Sequence, residues 1–565
     1  MGKRVLIVGG VAGGASAAAR IRRLDEDASI TIFERGEHVS FSNCSLPYYL
    51  SRTVEEKDYL VLMTPEDFKN SYDIEVRVNS EVCGIDRTLR KIHIKDSVSG
   101  QEYDEPYDEL VLSPGSYPIR PKSIEGVSLP HVFTVRNVND IVKLDQYTSR
   151  EDIRRVVVIG GGFIGLEVAE NLKSAGKQVS VAEAADQIMT PFDYDMSQIL
   201  QKELLDQGVE LVVGDGVKSI TESHVILISG RELPCDAVIL SIGVLPETEL
   251  AKQAGLEIGE TGGITVTPDY RTSDPHIYAV GDAIQVYQRL THRPVRLPLA
   301  GPALRQARAA ADAIYGIPAR NNGVLGSCAV RVFSLNAAAT GLNERTAKSN
   351  NIPCDSVYTM SMDKVGLMPG SSPLHFKLVF EVPTGKILGA QAIGRGNADK
   401  RIDVIATLIA MNGTLEDLKE LELCYSPVFG TARDVVNLAA LAALNILHGA
   451  VKQVHVSEVR KLVENKACII DVRSRGEFEM GHLIGAVNIP LGELRQRTSE
   501  IPRDRPVYLH CRTSQRSYNA AMALKGRGFD NIINISGSFL GISYYEYFTD
   551  MTTGREKILT EYNFL

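Results

Sequence analysis

Two stretches of the chain carry the same succession of apolar and polar positions. Val5-Leu6-Ile7-Val8 and Val156-Val157-Val158-Ile159 are unbroken apolar runs ending in glycines. Each is followed by a helical pattern and then by a second apolar run that closes on a carboxylate, Glu34 in one copy and Glu183 in the other. An apolar run without alternation suits a strand covered on both faces of a parallel sheet. The succession therefore predicts a duplicated strand–turn–helix–strand unit, with the first helix over 15–24. Leu110-Val111-Leu112, ending at Ser113-Pro114-Gly115, reads as a buried strand running into a tight turn, and residues 240–246 repeat the device around Gly243. Residues 277–283 read as a strand opening into a helix. From about 326 to 450 strand-like and helical runs alternate without nucleotide-binding glycines, and near 455 a fresh β/α pattern begins.

A length of 565 residues exceeds what one core can serve, so several domains are expected. With 61 basic and 70 acidic side chains the net charge is −9, and no long block of one sign stands out. Nucleic-acid binding is not expected. The longest uncharged stretch lies between Asp434 and Lys452, yet it contains Asn437, Asn445, His448 and Gly449, which suits a buried or interface helix better than a membrane span. The first apolar run meets Gly9-Gly10 at once, so no secretory leader is expected. Eight cysteines without a CxxC pair argue for reduced thiols in a cytoplasmic protein, and against a metal site.

Gly160, Gly162 and Gly165 satisfy GxGxxG directly after a strand and before a helix. Such glycines allow the tight turn, the approach of a pyrophosphate to the backbone, and close helix–strand packing. Glu183 stands where a carboxylate accepts hydrogen bonds from a ribose and repels a 2′-phosphate, which favours NADH over NADPH. In the first copy, Gly9-Gly10-Val11-Ala12-Gly13-Gly14, Val11 takes the place of the second motif glycine, and Glu34 supplies the second carboxylate.

Residues 1 to about 445 resemble the flavin-dependent pyridine-nucleotide disulfide oxidoreductases. The resemblance implies an α/β protein with two Rossmann-like dinucleotide-binding domains, for FAD (1–150 and 266–325) and for NAD (151–265), and an α+β dimerisation domain (326–450). For FAD it implies Gly9, Val11, Ala12, Gly14, Glu34, Arg35, Gly115, Asp282, Ala283 and Pro302, with Asp282 on the flavin ribitol. For NAD it implies Gly160, Gly162, Phe163, Ile164, Gly165, Glu167, Glu183 and Gly243, with Phe163 over the flavin face and Glu167 near the nicotinamide carboxamide.

Many relatives of this kind carry a CxxxxC pair beside the flavin. Here Cys44, in Ser42-Asn43-Cys44-Ser45, is followed by no cysteine before Cys83. A single thiol cannot close an internal disulfide, so its oxidised form is either a sulfenate or a mixed species with an exogenous sulfur. A helix N-terminus at this place would lower the thiol pKa. The segment 39–49, with Thr64-Pro65-Glu66, Lys400-Arg401-Ile402-Asp403 and Tyr425-Ser426-Pro427, is most similar to the coenzyme A disulfide reductases. That similarity implies coenzyme A as substrate or bound ligand, held by Arg20, Arg23, Ser40, Lys400 and Arg401. It also implies catalysis by Cys44 with Asn43 and with Tyr425, which reaches the thiol from the partner subunit of a homodimer. Two departures stand out: Leu367-Met368-Pro369-Gly370 lacks the tyrosines of the family, and Leu304 replaces an asparagine.

Residues 455–545 resemble a rhodanese domain through Asp471-Val472-Arg473, the stretch 481–490, and Cys511 to Arg516. After the strand 507–510, the amides of a six-residue loop can cup an anionic persulfide on Cys511, and Arg512 and Arg516 would lower the thiol pKa. Thr513, Ser514 and Gln515 complete that loop. His482 reads as a packing and hydrogen-bonding residue, and the Tyr-rich tail 546–565 matches no known pattern. The combined expectation is an FAD- and NADH-dependent reductase of persulfide, polysulfide or coenzyme A disulfide bonds, with Cys511 handling sulfane sulfur. The alternatives are an NADH oxidase or peroxidase cycling Cys44 through a sulfenate, and a sulfur carrier with a vestigial flavin part.

Overall fold

The computed structural model describes residues 2–319 and 321–564. They form two compact units, one made of residues up to Ala184 together with Gly214–Val324, the other of Ala185–Val213 and Leu325 onward.

In the first unit a parallel sheet runs in the order Ile277–Ala279, Glu109–Leu112, Arg4–Val8, Ser29–Phe33, Glu75–Arg77. Its central strands are buried on both faces, which is why their sequences do not alternate. The helix Ala12–Leu24, three residues longer at its start than the sequence predicts, packs on the helix Ala300–Ile314. Small residues at the seam, Ala17, Ala18, Ala307 and Ala311, let the two backbones approach. The second nucleotide unit repeats the design, with Gln178–Glu183, Arg155–Ile159, Ala237–Leu240 and Val132–Phe133 paired in parallel and the helix Phe163–Ser174 following the glycine turn.

The second unit contains an antiparallel sheet in the order Cys328–Val332, Leu335–Gly341, Ile387–Gly394, Pro373–Glu381, Cys354–Met362, backed by helices Ala398–Ala410 and Val435–Leu447. The uncharged stretch is that last helix, and several of its apolar residues are buried. No helix among the described residues is long and apolar enough to cross a membrane. A parallel sheet then follows, Lys452–Val454, Ile532–Ile535, Val507–His510, Cys468–Asp471, Val487–Asn488. The helix Ser538–Thr553 runs through the expected module end at 545, and Tyr545 packs edge-on against Tyr194 of the helix Tyr194–Asp206. Beyond it the chain returns to pair Leu559 with Leu483, so the tail has a structural part to play.

Candidate functional sites

Gly9 and Gly160 occupy equivalent turns at φ +92° and +110°, where a Cβ would fall 2.1 Å from the Ser113 carbonyl oxygen or 2.4 Å from that of Ser241. Only glycine fits such a turn. Gly14 and Gly165 draw each helix onto its strand, since a Cβ on either would lie within 2 Å of the Gly9 or Gly160 carbonyl oxygen. Gly162 and Gly115 face open space, with nothing within 4 Å of where a Cβ would stand. Val11 precedes the first turn of the helix that Ala12 opens, as Gly162 precedes Phe163 and Ile164. The two strand-end carboxylates turn back onto these loops: Glu34 accepts from the Gly10 and Gly36 N–H groups at 3.0 and 2.9 Å, and Glu183 accepts from Gly161 N–H at 2.7 Å.

Asp282 lies in the turn Gly281–Ala283, before the helix that contains Pro302, and accepts a hydrogen bond from Ser116 Oγ at 3.0 Å. Burial pushes its carboxyl pKa up. A desolvated carboxylate of this kind is suited to a polyhydroxyl ligand. Together with the tight Gly9 turn, the strand-end carboxylate of Glu34 and the open space at Gly115, it makes the residues present a fit for FAD. Arg35 pairs with Glu247 at 3.2 Å, and Gly243 turns at φ +107°.

Cys44 is exposed, as is Asn43, and both belong to the 3₁₀ turn Asn43–Tyr49. The sequence expectation of a lowered thiol pKa is corrected here. Neighbouring atoms desolvate the sulfur, and the charges of Glu167 and Asp282 oppose its ionisation, so the pKa is raised. A short 3₁₀ turn offers no α-helical dipole to offset them. Burial, then repulsion from Glu170, pushes the Glu167 carboxyl up to about 7. Above that pH Glu167 is charged and works against a Cys44 thiolate; below it the opposition is lifted. In Glu167→Gln the pH profile of Cys44 alkylation should therefore move to lower pH, and an unchanged profile would mean the two groups do not communicate.

A cleft of about 370 Å³ opens in the same unit, with Ser40, Met63, Tyr72 and Leu304 in its wall and Arg20, Arg23 and Arg308 along it. Arg20 is held by Asp312 at 2.6 Å, whereas the Arg23 guanidinium lies over the Tyr72 ring at 5.6 Å. Arg401 is part of the second unit. It is buried, bonds to Asp434 at 3.0 Å and to the carbonyl oxygens of Asp363 and Asn397, and so has its donors committed inward. The expectation that it grips coenzyme A is corrected; it ties together the bases of the loops that carry Leu367 and Tyr425. Lys400 is exposed, as are Tyr425 and Leu367.

In the second unit the loop after Val507–His510 turns through Ser514 at φ +74° into the helix Gln515–Lys525, with Thr513 half-buried and Gln515 exposed. Cys511 is buried at the loop's start. Ser517 Oγ donates to its sulfur at 3.6 Å, and Ser538 Oγ accepts the Cys511 N–H at 3.2 Å while lying 3.9 Å from the sulfur. Sequence reasoning missed Ser538, which enters from a separate helix and has no spacing signal. Arg516 is shared: its guanidinium forks onto Glu477 at 2.6 and 2.7 Å, and the nearby Cys511 thiol also favours its charge. Its charge is thus largely neutralised by Glu477, a partner the sequence reading did not include. Arg512 is half-buried, and that burial lowers its guanidinium pKa. His482 stacks on Phe478 at 3.8 Å and bonds to the Phe478 carbonyl oxygen, a packing role.

Comparison with known proteins follows this division. Residues 3–307 match the pyridine nucleotide-disulphide oxidoreductase profile, 328–435 the dimerisation domain of the same family, and 455–544 the rhodanese-like domain. The coenzyme A disulfide reductase of Staphylococcus epidermidis is 32% identical over 441 residues, 78% of this chain and 99% of the relative. Reduced CoADR-RHD of Bacillus anthracis superposes with a TM-score of 0.94 at 43% identity, covering 96% of this chain and 98% of that one. An NAD-dependent persulfide reductase from A. fulgidus gives 0.90 at 34% identity, covering 95% and 99%. With paired glycine turns, a thiol beside them and these matches in hand, the chain belongs to the FAD- and NAD(H)-dependent pyridine nucleotide-disulphide oxidoreductase family and carries a C-terminal rhodanese domain.

Proposed function

We propose that the protein uses NADH to reduce the S–S bonds of coenzyme A disulfide, coenzyme A persulfide or polysulfide at Cys44, and that Cys511 takes up and delivers sulfane sulfur. The observation that carries this reading is the electrostatic neighbourhood of Cys44: a free thiol that feels Asp282 from one nucleotide unit and Glu167 from the other. Glu34 and Asp282 would hold FAD, and Glu167 would serve the NADH side of the exchange.

In the proposed cycle the Cys44 thiolate attacks one sulfur of a coenzyme A disulfide. A Cys44–S–S–CoA bond forms, the old S–S bond breaks, and one coenzyme A thiolate leaves with the electron pair. Bound FAD supplies the two electrons, drawn from NADH, that free the second coenzyme A thiolate and restore Cys44. With a persulfide donor the same attack on its outer sulfur places that sulfur on Cys44 and releases the donor thiolate. Arg20 and Arg23 are suited to the phosphates of coenzyme A, because guanidinium groups pair well with phosphate oxygens. Tyr425 is suited to donate a proton to a departing thiolate in a homodimer. The exposed Leu367, Tyr425, Val428 and Phe429 support burial of that face by a second copy of the chain. Cysteines that are all free support a reducing, cytoplasmic setting.

At Cys511 the thiolate takes the outer sulfur of a persulfide, R–S–S⁻, to give Cys511–S–S⁻ and R–S⁻. The Ser517 hydroxyl, which donates to the Cys511 sulfur, and the loop amides would stabilise that anion.

Steady-state turnover with NADH against coenzyme A disulfide, coenzyme A persulfide, polysulfide, peroxide and oxygen tests the proposal. Sulfur substrates should dominate; faster turnover with oxygen or peroxide would instead favour the sulfenate cycle. Arg20→Ala with Arg23→Ala should raise KM for the coenzyme A substrates about tenfold or more and leave polysulfide little changed, as loss of uniform binding requires.

A further inference from the structure

The turn that delivers Ser538 to Cys511 is not held by the rhodanese domain alone. Gly537 and Ser538 both lie at positive φ, +79° and +50°, the second a conformation a serine rarely takes. Such a turn persists only where its surroundings fix it. On its inner side it is fixed by the persulfide loop, because Phe539 N–H donates to the Cys511 carbonyl oxygen at 3.0 Å and Leu540 N–H to that of Arg512 at 3.1 Å. On its outer side lies Tyr358, from the strand Cys354–Met362 of the dimerisation sheet.

The Tyr358 ring leaves no room at the turn. A Cβ on residue 537 would stand 2.8 Å from Tyr358 Cδ1, and one on residue 541 would stand 3.1 Å from Cε1. Tyr358 N–H donates to Ser536 Oγ at 3.3 Å, one residue before the turn. The ring itself is braced: Tyr358 Oη shares a 2.7 Å hydrogen bond with His375 Nδ1, and the His375 ring meets Tyr544 edge-on at 5.0 Å. Tyr358 is 4% exposed and His375 equally so, and burial lowers the His375 pKa to about 4, which keeps its imidazole neutral at physiological pH. Nothing in the reaction at Cys511 requires these groups to touch substrate.

We propose that Tyr358 is a positioning residue for sulfur transfer at Cys511, pressing the Gly537-Ser538 turn onto the persulfide loop so that Ser538 Oγ meets the Cys511 N–H and lies beside its sulfur. The rhodanese site is then completed by a ring from the dimerisation sheet, and the fusion of the two domains has a mechanical role besides bringing two thiols onto one chain. The inference rests on Cys511 being the sulfur-carrying group.

The test uses the FAD-loaded full chain, with sulfur transfer from thiosulfate to cyanide as one assay and NADH-driven ferricyanide reduction as the other. Tyr358→Ala should lower kcat for sulfur transfer about tenfold or more, since small displacements of a positioned group have effects of that size or larger. KM for thiosulfate should stay within about twofold and ferricyanide reduction should be unchanged. Tyr358→Phe keeps the ring against Gly537 and should restore sulfur transfer. Sulfur transfer undiminished in Tyr358→Ala, equal loss of both activities, or failure of Tyr358→Phe to rescue would each overturn the assignment. Cys511→Ser, assayed in parallel, separates the two levels: persistence of sulfur transfer there would remove the reading of the site itself.

Discussion

Cys44→Ser should abolish NADH-dependent cleavage of coenzyme A disulfide and of polysulfide, whereas Cys511→Ser should leave coenzyme A disulfide reduction near the wild-type rate. The first loss should exceed about a thousandfold, because the sulfur is the nucleophile of the cycle and a hydroxyl beside two carboxylates cannot replace it. Cys44 has no disulfide partner, and the next cysteine in sequence is Cys83. Electron transfer from NADH to ferricyanide, which does not need the thiol, should survive and shows that the variant still holds its flavin. Sulfide release from polysulfide that persisted in Cys44→Ser would move the chemistry to another group and sink the proposed cycle. The asymmetry between the two variants is the informative part, because it separates reduction at one thiol from sulfur carriage at the other.

The duplicated nucleotide unit was legible because its physics is local. A glycine at positive φ, a strand buried on both faces and a strand-end carboxylate each leave a mark within about thirty residues of sequence. The rhodanese loop was legible for the same reason, as six consecutive residues between a strand and a helix. What sequence reasoning could not reach was every feature that depends on which groups meet across large separations. Arg401 stands in a motif and reads as a ligand; only the Asp434 carboxylate and the Asp363 carbonyl oxygen, 33 and 38 residues away, reveal it as a buried tie. The expected low pKa of Cys44 failed similarly, since Glu167 and Asp282 lie far off in sequence. Arg516 is expected from the loop to add positive charge beside Cys511, and Glu477, 39 residues earlier, takes much of that charge. Helix N-termini and motif arginines carry a default sign, and the partners that reverse or divide it are tertiary.

Lys377 gives the largest expected effect on stability, and its signature was present in the sequence as a lysine inside an apolar strand, between Phe376 and Leu378. Its ammonium is buried, 2.8 Å from Asp195, 2.9 Å from Glu344 and 3.3 Å from Asp193. One cation thus serves three carboxylates. Burial alone would push the Glu344 carboxyl up, but Lys377 overrides it and holds the pKa at about 2. Asp195, the more deeply enclosed, stays above its ordinary value because desolvation outweighs the same lysine. Lys377→Met should destabilise this unit by about 3–5 kcal/mol at pH 7, the usual consequence of leaving buried charges without their partner. The pH dependence follows from Glu344. In the wild type its depressed pKa contributes stability that is present above the unfolded value and is lost as pH falls toward 2. In the variant the carboxylates lose the cation that depressed them, their pKa values rise, and protonation relieves part of the penalty. The deficit relative to wild type should therefore shrink between pH 7 and pH 5, measured as the difference in urea midpoints at the two values. A deficit that stayed constant or widened on acidification would show that the lysine stabilises through its packed methylene stem rather than through charge.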